Sequence, residues 1–131
     1  MPDTVRLVHD ARAPQRARRW ITQLCHDWGC EELSDSASLM VTELVTNVYL
    51  HAGSDCLIQA AYAQPTLSVA VSDEDENEVS PVSASDIAEY GRGLAIVGAL
   101  SDAWGTRRNG GAKEVWFDLS ATNGARTGQG H

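Results

Sequence analysis

The sequence predicts an α+β fold, because segments with a helical spacing of apolar residues alternate with pairs of strand-like segments. Three segments have the helical pattern, and two pairs of strand-like segments are each joined by a short turn. The 131 residues, of which 43% are hydrophobic, suffice for one domain with its own hydrophobic core. The chain contains no internal repeat and no sign of a second domain.

The first predicted elements are a short strand and an amphipathic helix. Thr4 to Val8 is rich in β-branched residues and predicts a strand. Pro14 suits the first turn of a helix that we expect to run to about Trp28, and Gly29 suits the position just after its end. The apolar residues at helical spacing are Ala17, Trp20, Ile21, Leu24 and Trp28, and we expect them to face the core.

A second helix is predicted between two capping signals. Ser34 is a favourable N-cap, and Gly53 follows the last residue of the helix, Ala52. Its apolar stripe predicts burial against the rest of the domain. The stripe consists of Met40, Val41, Leu44, Val45 and Val48.

Two β-hairpins follow from strand-like segments of matched length that flank turn residues. We expect the four strands to supply most of a sheet. The predicted hairpins pair Cys56–Ala63 with Leu67–Ser72 across the turn at 64–66, and Trp104–Arg108 with Glu114–Leu119 across the turn at 109–111.

The remaining segments are a long connection, a third helix and a tail. Glu74 to Tyr90 has no regular periodicity, and connections of this length often serve as lids or binding loops. Leu94 to Leu100 predicts a helix that opens after Gly91-Arg92-Gly93. The small and polar residues after Leu119 predict a domain over 1–119 and a disordered C-terminal tail over 120–131.

Composition limits the possible partners. The net charge of −8 makes free nucleic acid an unfavourable partner. The longest apolar runs are far shorter than a membrane span of about 20 residues, and we expect a cytoplasmic location. Cys25, Cys30 and Cys56 predict free or buried thiols rather than disulfides, and the spacing of Cys25, His26 and Cys30 is unsuited to a structural zinc site.

Polar residues interrupt the apolar pattern of the second helix at every fourth position. Glu43, Asn47 and His51 form one slanted row, because four residues turn an α-helix by only ~40° beyond a full turn. An amide oxygen is a good ligand for Mg²⁺, and a carboxylate one turn earlier could accept a proton from a hydroxyl group. The same row could equally be a solvent-facing edge of an amphipathic helix.

Two further positions could contact a ligand. Asp73 follows a strand of buried character, where its carboxylate could accept a hydrogen bond from an amine, although a loop also begins at such positions. Gly91-Arg92-Gly93 precedes a helix, whose free N–H groups suit phosphate, although a tight turn needs the same glycines.

Taken in order, these positions resemble the motifs of the GHKL (Bergerat-fold) ATPases. The helix with E-x-x-x-N, the strand ending in Asp, the long connection and the G-x-G helix match the family's N, G1 and G2 boxes. The match is nearest to the anti-sigma-factor serine/threonine kinases that resemble RsbW and SpoIIAB. The matching segments are 41–47, 51–53, 91–97 with Leu100, 104–105 and 113–119.

This resemblance implies a two-layer α/β sandwich with helices on one face of a mixed, mostly antiparallel sheet. It implies ATP and Mg²⁺ as ligands, with Asn47 holding the metal and Glu43 acting as the catalytic residue. Asp73 would receive the adenine amine. The other residues it implicates in nucleotide binding are His51, Gly91, Arg92, Gly93, Leu94 and Lys113.

By the same resemblance, we expect an anti-sigma factor that binds a sigma factor and phosphorylates a serine of an anti-anti-sigma (STAS) protein, in a possible homodimer. The acidic stretch after Asp73 lacks the glycines of the family's usual D-x-G-x-G. The alternative hypothesis is therefore a non-catalytic module that binds nucleotide and partner as a switch.

Overall fold

A computed structural model describes residues 2–74, 94–109 and 112–120. The strands and helices follow the predicted order. The elements are β1 (Pro2–Leu7), α1 (Ala13–Asp27), α2 (Ser34–Asn47), β2 (Cys56–Ala63), β3 (Thr66–Asp73), a helix α3 at 94–100, β4 (Ala103–Asn109) and β5 (Ala112–Ser120).

The five strands form one sheet in the order β1-β2-β3-β5-β4, and every described pairing is antiparallel. The described sheet therefore contains no parallel pair of the kind that a mixed sheet would have. The predicted hairpins are both present, with β2 paired to β3 and β4 paired to β5. The α+β sandwich predicted from the sequence is confirmed.

The helices cover one face of this sheet. Alternate residues of the central strands are buried, as expected when successive side chains point to opposite faces. Ile58, Val71 and Val115 are neighbours across three strands, and Val69 similarly lies beside Phe117, which has no exposed surface. The apolar stripes of α1 and α2 complete this core, and all five residues of the predicted α2 stripe are buried.

The ends of α1 follow from local sequence. Its first turn contains Pro14, and a carboxylate oxygen of Asp10 accepts the N–H of Arg12 at 2.7 Å just before the helix. At the other end, Gly29 has φ +74°, and the N–H of Cys30 bonds to the carbonyl of Cys25 at 2.8 Å. This arrangement is a Schellman motif, which requires a residue in the left-handed region.

The boundaries of α2 differ from the prediction. A 3₁₀ turn (Glu31–Leu33) leads directly into the helix, so Leu33 is the N-cap and Ser34 is already helical. The α-helix then ends at Asn47, and Val48–Ala52 forms a π turn. The cause is local, since the N–H of Gly53 bonds five residues back to the carbonyl of Val48 and Gly53 has φ +65°.

Smaller differences concern the strands. The first strand is Pro2–Leu7 rather than Thr4–Val8, and Ser120 belongs to β5 rather than to the tail. The predicted lid and most of the predicted tail lie outside the described residues. Among the residues that are described, no helix has the length and apolar character needed to cross a membrane.

Candidate functional site

A cavity of about 540 Å³ lies between α2 and the sheet, at the end where β3 stops and β5 begins. This volume is typical of pockets that bind small molecules. Its walls are apolar on the α2 side and carry polar and charged groups on the sheet side. The described lining residues are Leu44, Val48, Val71, Asp73, Leu94, Trp104, Gly105, Thr106, Arg107, Arg108, Lys113, Glu114 and Val115.

Among the described residues, two buried carboxylates line this cavity, and Glu114 is paired with Arg107, so we consider Asp73 first. It is the last residue of β3 and only 4% exposed. One of its oxygens, Oδ1, accepts the backbone N–H of Lys113 at 3.1 Å, so β5 fixes the orientation of the carboxylate. Its neighbour across the sheet is Cys56, whose pKa burial raises to about 12, so an uncharged thiol lies beside the carboxylate.

The three polar residues of the second helix occupy different environments. Glu43 is half-buried, Asn47 is 9% exposed, and His51 is exposed. None of the three lines the cavity in the described part of the chain, although Leu44 and Val48 beside them do. The α-helix that was predicted to carry all three ends at Asn47, so His51 lies in the π turn.

Asn47 has an unsatisfied side chain. Its Nδ2 atom is buried and has no hydrogen-bond partner. A buried polar group without a partner is unfavourable, and such groups are rare in folded proteins. The side-chain amide therefore lacks a polar contact that a ligand could provide.

Of the predicted G-x-G helix, only the helical part can be placed. Gly91, Arg92 and Gly93 lie outside the described residues, so their predicted contacts with phosphate stay predictions. Leu94 begins the described part of α3, is half-buried and lines the cavity.

The acidic segment after Asp73 begins with a carboxylate that is directed away from the cavity. The side chain of Glu74 forms an ion pair with Arg6 of β1 at 2.7 Å, and its N–H bonds to Ser54 Oγ at 3.2 Å. Arg6 also lies 3.5 Å from Asp55, which in turn accepts the N–H of His9 at 2.7 Å. This network attaches the residue that follows β3 to β1.

Strand β4 contributes lining residues that the sequence interpretation missed. Trp104, Thr106 and Arg108 lie directly opposite Phe117, Val115 and Lys113, and directly opposed residues of an antiparallel pair share a face. The alternation of side chains along β4 would have identified these three residues, once the side of the sheet on which Lys113 lies was known. Arg107, which also lines the cavity, forms an ion pair with Glu114 at 2.6 Å and lies over the ring of Trp116.

Fold and site together define a ligand-binding domain in which a helix layer and an antiparallel sheet enclose a cavity whose described lining includes the buried carboxylates of Asp73 and Glu114. The protein-family model for the histidine kinase-like ATPase domain matches residues 7–119, so the chain belongs to this family. The identification made from the sequence motifs is thereby confirmed, and it makes the protein an ATP-binding domain.

A solved structure with the same fold is the crystal structure of the RsbU and RsbW domains of Rv1364c from Mycobacterium tuberculosis. It matches with a TM-score of 0.71 and 16% sequence identity, over 92% of this chain and 32% of that chain. The present chain thus spans about a third of the matched chain. No curated protein gives a significant match.

Proposed function

We propose that the protein is an anti-sigma factor that binds Mg-ATP in this cavity and transfers phosphate to a serine of an anti-anti-sigma (STAS) protein. The observation that carries the proposal is the buried Asp73 at the base of the cavity, held in place by the backbone of Lys113. A fixed carboxylate in a largely apolar recess suits an amine of a planar base. We assign Asp73 to the adenine amine.

Asn47 is the proposed protein ligand of a magnesium ion. Mg²⁺ prefers oxygen ligands and retains several waters, so one protein amide oxygen is a suitable contribution. The amide of Asn47 is buried and its Nδ2 atom unpaired, and rotation about its last side-chain bond exchanges nitrogen and oxygen at the same positions. A bound metal would neutralise charge on the phosphates and align them.

Glu43 is the proposed proton acceptor. It lies one helical turn before Asn47 on α2 and is half-buried. In the proposed reaction the serine oxygen of the partner bonds to the γ-phosphorus of ATP, the bond to the ADP oxygen breaks, and Glu43 takes the serine proton. Such transfers depend mostly on positioning and charge stabilisation. His51, Gly91, Arg92, Gly93, Leu94 and Lys113 are the further proposed nucleotide contacts.

The ion pair between Glu74 and Arg6 supports nucleotide binding in spite of the acidic loop. A carboxylate beside a triphosphate would be repulsive. Because Glu74 points to β1, this first acid of the segment does not oppose the phosphates.

The proposed partners are a sigma factor and a STAS protein in the cytoplasm, with a homodimer as the proposed assembly.

The test uses γ-labelled ATP, Mg²⁺ and candidate STAS proteins. We expect transfer of label by the wild-type protein, none by Glu43→Gln in spite of normal ATP binding, and no ATP binding by Asp73→Asn. A Glu43→Gln variant as active as the wild type would refute the assigned catalytic role.

The alternative is a switch module that binds nucleotide and partner without transferring phosphate. The observation that favours it is the position of Glu43, which does not line the cavity in the described part of the chain. Calorimetry distinguishes the two functions. Wild-type protein that binds Mg-ATP and the sigma factor tightly, but labels no STAS protein, would establish the module and exclude the kinase.

A further inference from the structure

Helix α3 packs against the indole of Trp104 at a glycine. A methyl group at Gly98 would lie 3.3 Å from Nε1 of Trp104, which is closer than ordinary van der Waals contact. The helix and β4 therefore approach each other more closely at this point than any side chain at position 98 would allow. This contact joins α3 to the strand that follows it along the chain.

The backbone conformation at Gly98 does not require a glycine. Among the described glycines, those with positive φ are Gly29 and Gly53, which follow helical turns, whereas Gly98 lies inside α3. In the interior of a helix, glycine is less favourable than alanine. Gly98 therefore allows the close approach of Trp104 and weakens the helix in doing so.

Both partners in this contact are connected to the cavity. Trp104 lines the cavity, and so does Leu94, which lies one helical turn before Gly98. Because residues four apart share one face of an α-helix, the face of α3 that contacts Trp104 also carries Leu94. Val97, which has no exposed surface, holds the adjacent face of α3 in the core. A shift of α3 relative to Trp104 would therefore change the shape of the cavity wall.

We propose that Trp104 is a positioning residue for nucleotide binding, whose indole holds α3 at the distance that places Leu94 in the cavity wall. The inference rests on the proposed function, in which ATP occupies this cavity. The effect is steric, since a side chain at position 98 would separate α3 from β4 in an interior that tolerates added volume poorly. Affinity for the nucleotide therefore depends on the close contact between Gly98 and the indole.

The test measures Mg-ATP binding by calorimetry to wild type, Gly98→Ala, Ala99→Gly, Trp104→Phe and the double variant with both Gly98→Ala and Trp104→Phe. Ala99 is exposed, and its replacement changes helix propensity in the direction opposite to Gly98→Ala. Phenylalanine has a smaller ring and lacks Nε1, the atom nearest to position 98, so the double variant has room for the added methyl group. Trp20→Phe, in α1, controls for the loss of an indole. Thermal denaturation measures the stability of every variant.

We expect Gly98→Ala to bind Mg-ATP about fivefold more weakly or worse, although alanine favours the helix. Trp104→Phe should also weaken binding, because the contact is lost, and the double variant should bind more tightly than Gly98→Ala. The two controls, Ala99→Gly and Trp20→Phe, should keep the affinity of the wild type.

Three results would overturn the inference while the proposed function stands. They are wild-type affinity in Gly98→Ala, a double variant that binds no better than Gly98→Ala, and affinities that simply follow the melting temperatures across the series. Wild-type protein that does not bind Mg-ATP overturns the proposed function, and this inference with it.

Discussion

At the scale of the residue, Asn47 combines burial with an unsatisfied amide, and this combination predicts a trade between stability and binding. A buried donor without a partner costs about 1–3 kcal/mol relative to one that is hydrogen-bonded. The protein bears this cost at a position where the apolar residues of α2 are fully packed. We interpret this loss of stability as the consequence of a role of Asn47 in ligand binding.

Asn47→Ala should therefore abolish ligand binding without much loss of stability. Removing the amide relieves the unsatisfied donor and offsets the lost packing, so we expect the free energy of unfolding to change by less than about 1 kcal/mol. Thermal denaturation with and without Mg-ATP measures both effects. The wild type should gain about 2.7 kcal/mol at a ligand concentration of 100 times Kd, and the variant should gain nothing.

Thr46→Ala is the matched control, because Thr46 precedes Asn47 and its hydroxyl donates a hydrogen bond to the carbonyl of Thr42 at 2.7 Å, within the same helix. This variant should keep the full response to Mg-ATP. A normal response in Asn47→Ala would show that the amide has no part in binding.

At the scale of the element, the junction between α1 and the following 3₁₀ turn contains a pH-sensitive contact. Nδ1 of His26, in the last turn of α1, lies 2.6 Å from a carboxylate oxygen of Glu31. The hydrogen bond with Glu31 raises the pKa of His26 above its ordinary value of 6.5. Protonated His26 also interacts favourably with the C-terminal end of the helix dipole.

The stabilisation from this contact should decrease as the pH rises. Because the folded-state pKa of His26 is raised, the contribution is fully present below 6.5, the unfolded value, and is lost as the pH rises through the folded value. Glu31→Gln should therefore lower the melting temperature more at pH 5.5 than at pH 8.5. Titration of the His26 ring by NMR should show its pKa returning towards 6.5 in this variant.

Glu32→Gln removes the same charge from the adjacent position and controls for a general effect of the acidic turn. It should leave the titration of His26 nearly unchanged. The interpretation fails if both variants shift the pKa of His26 equally, or if neither does.

The elements also show where sequence reasoning succeeds and where it stops. The stripe of α2, the two hairpins and the position of Asp73 followed from periodicity and turn residues, which are local signals. The π turn at Val48–Ala52 did not, because one turn is too short for the apolar pattern to distinguish an α from a π period, and its closing bond from the Gly53 N–H to the Val48 carbonyl is not visible in the sequence. The face on which Arg108 lies depends on the register of β4 with β5, which the sequence does not specify.

At the scale of the whole molecule, the three thiols report on the integrity of the core. All three are buried, and they lie in α1 (Cys25), just after α1 (Cys30) and in β2 (Cys56). Burial raises the pKa of Cys25 and of Cys56 to about 12, so the reactive thiolate is scarce in the folded state.

Modification of these thiols should therefore require opening of the domain. At pH 8 we expect an aromatic disulfide reagent to label the folded protein at least roughly a hundredfold more slowly than the urea-unfolded chain. Saturating Mg-ATP should slow labelling further, since a ligand of the folded state raises the free energy of opening. Rapid labelling of one thiol in native buffer would contradict this expectation.

The ion pair of Arg6 with Glu74 has a practical consequence for the way the domain is joined to other sequences. Arg6 belongs to the edge strand β1, and Glu74 directly follows Asp73, so an ion pair joins the first strand to the residue beside the carboxylate that we propose for adenine. A fusion partner or affinity tag placed ahead of β1 can disturb this ion pair. Such a tag should therefore be removed before nucleotide affinity is measured.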